Sequence, residues 1–438
     1  MEKDEEEAPY SSDYKTEVDG WEPEDEEEFD EFEYNSDEFE EEGSEEDMDD
    51  DFDSEEEFEQ DINDSEIEST LDDETTKLPQ ISDEEMKLVD DWWDEYKKMN
   101  DTEKERKHLI AFIERYPHLV DHLELYHEVL FELGADHFKK GVYEIFVELL
   151  LRIRKEYPIT YKKSFKYYDS DLIYWFVALG RMDEIDPFFD YFREKDEYDD
   201  KLDDLIRFFH AINRPDIVLK SLAGTKYTAA ISFITSTNII QRYIDRPVTD
   251  ESVQSLFDEL SPIPDNELNT VETVKEHLLD YTRPFTAWGN LPQKRSQAFD
   301  YYLKINLNFA YFLYKNTELS FSSANVISNF IISYYRRIIN NNKRPNNPFC
   351  LDRENITNNT LRYYNTVFWG YDMACLIELN ALYYFVDYLK TCGNISEEQQ
   401  NNLQKMITNL YQEAYKYSKD QGPEMLLFNQ FPLWKIKE

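Results

Sequence analysis

Residues 109–134 read LIAFIERYPHLVDHLELYHEVLFELG. Leu109, Ile110, Phe112 and Ile113 recur at helical spacing and stop at Tyr116-Pro117. Proline cannot continue a helix, and it pushes the residue before it toward extended backbone. Leu119, Leu123, Val129, Leu130 and Leu133 then carry a second apolar stripe, which stops at Leu133-Gly134. The stretch predicts two amphipathic helices with a short turn between them.

The same sentence is written again downstream. Phe138, Val142, Ile145, Phe146 and Leu149 lead to Tyr157-Pro158, and Leu172, Trp175, Phe176 and Leu179 lead to Gly180. Ile185, Phe188, Phe189 and Phe192 mark the next helix. Tyr-Pro returns after 41 residues and Leu-Gly after 46. Helical hairpins repeating at about 34–47 residues are the signature of an α-solenoid. Leu179-Gly180-Arg181-Met182-Asp183-Glu184-Ile185 and its counterparts over about residues 103–222 resemble the hairpins of tetratricopeptide-like repeats. That family's full Trp, Leu-Gly, Tyr, Ala, Phe, Ala, Pro string is not intact in any repeat here. The resemblance therefore implies a hairpin fold and no binding residues, and HEAT-like hairpins fit the same spacing.

Upstream, Ser82 and Glu85 form an S-x-x-E capping box, followed by an apolar stripe of Met86, Val89, Trp93 and Tyr96. Downstream, Thr249-Asp250-Glu251 opens a helix that Ser261-Pro262-Ile263-Pro264 closes. Longer stripes follow: Ile327, Phe330, Ile331, Tyr334 and Ile338 over 322–340, then Tyr364, Phe368, Tyr371, Cys375, Leu379, Leu382, Tyr383 and Val386 over 361–390. A last helix is expected from about Ser396 to Ser418. The expected fold is all-α: helical-hairpin repeats over 81–262, then a helical bundle or capping region over 263–438. A disordered acidic tail over 1–80 precedes them.

That tail holds 40 acids and 3 lysines, a net of −37 out of −50 for the chain. Residues 81–210 carry −12 and residues 211–438 carry −1. Self-repulsion and scarce apolar groups keep such a segment from burying a core. A neutral or acidic body is a poor binder of duplex DNA, whose phosphates need clustered lysine and arginine to neutralise them, so direct nucleic-acid binding is not expected. With no signal-peptide pattern and no run of about 18 apolar residues, the expected location is the cytoplasm, off the membrane. Cys350, Cys375 and Cys392 give neither a disulfide framework nor a zinc knuckle.

Catalytic motifs are missing. The sequence has no G-x-x-x-x-G-K-[ST], no G-x-G-x-x-G and no G-x-S-x-G. His118 and His122 share a face if they lie on one α-helix, yet residue 119 is leucine and no third ligand has a fixed place. An EF-hand counted from Asp49 would need glycine at Ser54 and glutamate at Gln60. No metal, cofactor or catalytic residue is assigned.

Two clusters point to binding. Trp21, Phe29, Phe32, Tyr34, Phe39, Phe52 and Phe58 are spaced through the acidic tail. Acid attracts a basic partner at long range, and aromatics anchor it at short range. The mixture resembles the acidic segments of histone chaperones and activation domains; a solvating bristle has the same composition. Arg336, Arg337, Lys343 and Arg344 form a basic cluster beside Tyr334 and Tyr335, and they also suit a helix C-terminus as dipole-satisfying cations. The sequence thus favours a protein-protein interaction scaffold or adaptor whose tail engages or screens basic partners. An acidic chaperone or nucleic-acid mimic is one alternative, and a helical enzyme without local motifs is another. Ser44, Ser54, Ser65 and Ser69 each have an acid three residues on, so phosphorylation there would add charge.

Overall fold

Ser82 starts the first helix as its sequence predicts. In the computed structural model, α1 (Asp83–Tyr96) has a complete capping box between Ser82 and Glu85. The structure describes residues 80–123, 129–194, 200–222, 229–263, 268–283, 295–340, 349, 351–364, 373–420 and 422–430. The expectations for residues 1–79 lie outside these. Among the described residues every regular element is helical and none is a strand.

α1 buries Val89, Trp92 and Tyr96, while Met86 is 46% exposed. The predicted stripe ran through Trp93; the buried ring is instead Trp92. It stacks on Tyr96 and on His108 and touches Phe112, which fixes the rotation of the helix. His108 and Phe112 belong to α2 (Thr102–Arg115), capped by Asp101.

Pro117 then opens a 3₁₀ turn over Pro117–His122. This corrects the shared face expected of His118 and His122. At three residues per turn, positions four apart point about 120° away from each other. His118 is exposed and its Nε2 lies 3.1 Å from Glu85 Oε1, whereas the Nε2 of His122 is buried.

The hairpins continue through α3 (Phe131–Lys139), α4 (Tyr143–Glu156) and α5 (Pro158–Ala178), with Pro158 in the first turn of α5. Left-handed residues end the turns. Gly141 has φ +67°, Gly180 +72° and Asn213 +58°. After each, the next N–H reaches back to cap the preceding helix: Val142 to His137 O, Arg181 to Phe176 O and Arg214 to Phe209 O. From 141 to 180 to 213 the steps are 39 and 33 residues. This is the repeat that the Tyr-Pro and Leu-Gly spacing showed only indirectly.

Gly134 was expected in a turn and lies inside α3. A methyl group there would meet Phe146 Cε1 at 2.9 Å, so glycine lets α4 approach α3 closely. Alanine gains about 1 kcal/mol of helix propensity, against about 1–3 kcal/mol for overpacking. Phe146 is 1% exposed and hemmed in by Tyr143 and His137, so overpacking wins. Gly134→Ala is expected to destabilise by about 1 kcal/mol, read from the urea midpoint. An unchanged or raised midpoint would show that Phe146 has room to move.

Two 3₁₀ turns (Met182–Glu184 and Asp186–Phe189), α6 (Asp190–Glu194), α7 (Asp200–Ala211) and α8 (Pro215–Ser221) complete the first part. Beyond it lie α9 (Ala229–Gln241), α10 (Asp250–Leu260), α11 (Val271–Thr282), α12 (Arg295–Asn316) and α13 (Phe321–Asn340). Thr249 caps α10 as predicted. The short α14 (Arg353–Ile356) runs into a π-helix over Thr357–Arg362. Then come α15 (Met373–Thr391), α16 (Glu397–Ser418), capped by Ser396, and α17 (Glu424–Gln430).

The most extensive helix pairings among the described residues are α12 with α13 and α15 with α16. One large core runs from Val89 to Phe428, and a smaller one gathers α9 to α11 against Ala310 and Phe321. α13 packs against α7, and α17 packs against α5. Asn213 fastens the first of these contacts: its side chain donates to Glu318 O at 3.1 Å and accepts from Ser320 N at 3.1 Å. No described helix is long and apolar enough to cross a membrane. Cys375 is buried and Cys392 half-buried, and neither forms a disulfide with a described residue; Cys350 lies outside the described residues.

Candidate interaction surface

α1 turns its apolar stripe inward and its charge outward. Asp83, Glu84, Asp90, Asp91, Asp94 and Glu95 are exposed, with Lys87 as the helix's one base. Asp90 and Asp94 are four residues apart, and Asp91 and Asp94 three, so like charges stack along the outer face. Such pairs destabilise a helix by about 0.2–0.5 kcal/mol each. No ion pair to another described residue relieves Asp90, Asp91 or Asp94. The last turn has no base, although the helix dipole favours one there. Only the two flanks are tied. Glu85 accepts from Ser82, which with His118 holds its carboxyl below the usual range, and Glu95 lies 3.9 Å from His108. Met86 and Leu88 stand exposed among the acids.

The basic cluster expected at the end of α13 separates. Arg336 is exposed, with its guanidinium 5.2 Å from the Phe299 ring. Arg337 turns inward and leaves the surface. It pairs with Glu378 of α15, donates to Asn359 O at 2.5 Å and lies 4.5 Å from the Tyr363 ring. Glu378 is fully buried and also accepts from Thr360 at 2.6 Å and Tyr364 at 3.2 Å. Burial pushes its carboxyl up, and Arg337 opposes that. The π-helix supplies both Thr360 and Asn359 O, so its wide turn is what closes this cage. Lys343, Arg344 and the seven tail aromatics Trp21, Phe29, Phe32, Tyr34, Phe39, Phe52 and Phe58 lie outside the described residues.

A second buried charge node joins α4 and α5. Arg154 donates to Asp169 at 3.1 Å and to Pro187 O at 2.6 Å, and Tyr161 donates to the same Asp169 oxygen at 2.5 Å. Burial raises the Asp169 carboxyl to about 6 despite Arg154. Phe188 and Tyr191 cover the guanidinium. Sequence reading passed over Asp169 and Glu378, although each is an acid set in a largely apolar helical run (YYDSDLIYWF, CLIELNALYY), which is a usable signal for a buried charge.

Among the described residues no three His, Cys, Asp or Glu side chains are placed to hold a metal ion. A groove between α14 and α16 is lined by Arg353, Asn402, Lys405, Met406, Asn409, Leu410 and Glu413, with a single carboxylate and no histidine. Of the buried carboxylates, Asp169 and Glu378 are each held by an arginine and a tyrosine. No protein-family model, no curated protein and no solved structure matches the chain.

Proposed function

We propose that this protein is a non-enzymatic interaction scaffold or adaptor that engages basic partner proteins through acidic surface. The observation that carries the reading is the outer face of α1. Its acids are stacked at helical spacing and persist into the last turn, against the helix dipole. The capping box and the burial of Val89, Trp92 and Tyr96 hold the helix against that repulsion, and the nearest cations past its last turn are Lys97 and Lys98; local rules broken in this way are expected at functional surfaces. Met86 and Leu88 supply apolar contacts inside the charged rim. The acidic segment that precedes α1 in sequence extends the same charge, and its aromatics would add anchors. In this reading the hairpins are tetratricopeptide-like, supported by left-handed turns that recur 39 and 33 residues apart, and the partner segment is rich in lysine and arginine.

The reading makes stability and binding move in opposite directions. Asp94→Lys removes two like-charge contacts and places a cation at the helix C-terminus. It is expected to raise stability by roughly 0.3–1 kcal/mol. The triple variant Asp90→Lys, Asp91→Lys, Asp94→Lys is expected to weaken capture of a fluorescent lysine- and arginine-rich peptide at least tenfold at low salt, and to flatten its salt dependence. Urea unfolding and fluorescence anisotropy measure the two effects. Unchanged affinity in the triple variant of the full chain would overturn the assignment of this face.

A further inference from the structure

The amides of α16 divide by face. Gln399 closes the cap at Ser396, and Gln400 and Gln404 donate to Asp387 of α15 at 2.6 and 2.7 Å. Asn402 and Asn409 instead line the groove against α14, exposed and without a hydrogen bond to any described residue. Two cations line the same groove from its two walls, Arg353 from α14 and Lys405 from α16. Both are exposed, and neither forms an ion pair with a described carboxylate. Surface arginines elsewhere are taken by an acid in reach, Arg181 by Glu184 and Arg242 by Glu259. Met406 and Leu410 supply the apolar part of the groove, and Glu413 is its one carboxylate. Its volume is about 200 Å³, below the roughly 300–1,000 Å³ of a cofactor pocket, so it has room for a few side chains and not for a whole cofactor.

We propose that the groove between α14 and α16 binds an extended peptide of a partner protein, one that presents acidic side chains next to an apolar one. It is a second site, opposite in charge to the α1 face. An amide is donor and acceptor at once, which matches the pair of groups that a peptide unit presents. Their spacing of seven residues puts Asn402 and Asn409 on one side of α16, about 10 Å apart along the axis, a span that three extended residues cover. Lys405 lies between them and directly precedes Met406, so the acid and the apolar anchor of the ligand are neighbours too. Arg353 can grip a carboxylate with two parallel hydrogen bonds, and Lys405 adds a point charge. Glu413 stands about 12 Å past Lys405 along the helix. It repels an acid and favours a cation at that end, which gives the peptide a direction. Cations supplied by two elements beside an apolar strip distinguish this groove from an ordinary solvated helix face.

Fluorescence anisotropy of the full chain with a fluorescein-labelled Gly-Glu-Glu-Leu-Ser-Lys-Gly peptide, amidated at its C-terminus, tests this at about 0.15 M salt. Charges more than about 8 Å away are screened there, so the groove rather than the net charge of −50 sets the affinity. Binding is expected to saturate. Arg353→Ala with Lys405→Ala should weaken it at least tenfold, and Asn402→Ala with Asn409→Ala about tenfold. All four side chains are exposed, so the urea midpoints of these variants should match the wild type. A peptide with lysine in place of both glutamates should bind at least tenfold more weakly. The Asp90→Lys, Asp91→Lys, Asp94→Lys variant should bind the acidic peptide as the wild type does, so loss here and loss at the α1 face are separate outcomes. A signal that does not saturate, or capture that survives Arg353→Ala with Lys405→Ala, overturns the site. Self-association that this pair of substitutions removes, with no peptide capture, would overturn it as well and assign the groove to a second copy of the chain.

Discussion

Glu378→Ala is expected to cost the folded state about 3–5 kcal/mol. The alanine removes the only carboxylate facing Arg337 in its cage and leaves a guanidinium that is 14% exposed without a counter-charge. It also removes the carboxylate that accepts from the hydroxyls of Thr360 and Tyr364. Breaking a buried pair from one side is costly because the survivor keeps its desolvation penalty. Removing both charges is a different experiment. Arg337→Met with Glu378→Leu is expected to recover more than half of the loss, because no unpaired ion remains. Urea unfolding of the two proteins separates these outcomes. A loss below about 1 kcal/mol for Glu378→Ala would mean that water reaches Arg337.

Trp92→Ala is expected to cost about 3–5 kcal/mol, the range for deleting a large buried aromatic. Trp92 is 4% exposed and is the ring that holds α1 to α2, between Tyr96, His108 and Phe112. Its neighbour Trp93 is only partly buried and meets Trp92 and Tyr96 edge-on. Trp93→Ala is expected to cost roughly 1 kcal/mol. The two variants differ in one sequence position and by severalfold in effect. With Trp92 gone, α1 should exchange its amides at the rate of an open segment, and peptide capture by its acidic face should fall with it. Equal losses for the two variants would place both rings in the core.

That pair also shows what the sequence carried and what it withheld. Local signals were readable where one residue decides the backbone. Ser82 with Glu85, Thr249 and Ser396 cap the helices they announce, because their hydroxyls satisfy N–H groups that have no other partner. Gly180 lies in the left-handed turn its position suggested. Choices among equals were not readable. Trp92 and Trp93 are the same residue, and only the placement of His108 and Phe112 selects one. Gly134 has the same local signature as Gly180, yet the approach of Phe146 keeps it helical. Arg337 and Arg336 are likewise adjacent and identical. A glutamate 41 residues away draws one inward, and the π-turn at Thr357–Arg362 that completes its cage has no sequence signature of its own. The acidic face of α1 was present in the composition; that no described cation pairs with Asp90, Asp91 or Asp94 became visible only once its neighbours were in place.

The seat of α17 on α5 has a consequence for how the chain is made. Residues near 171 meet their partners near 424 only after some 250 further residues have been synthesised. At about 5–20 residues per second, that is a wait of roughly ten to fifty seconds. Throughout it, the α5 surface that Met425, Leu427 and Phe428 will cover stands open on the ribosome. A nascent chain of this protein therefore needs that apolar strip shielded while translation catches up, so slowing synthesis between residues 180 and 420 should increase its dependence on chaperones.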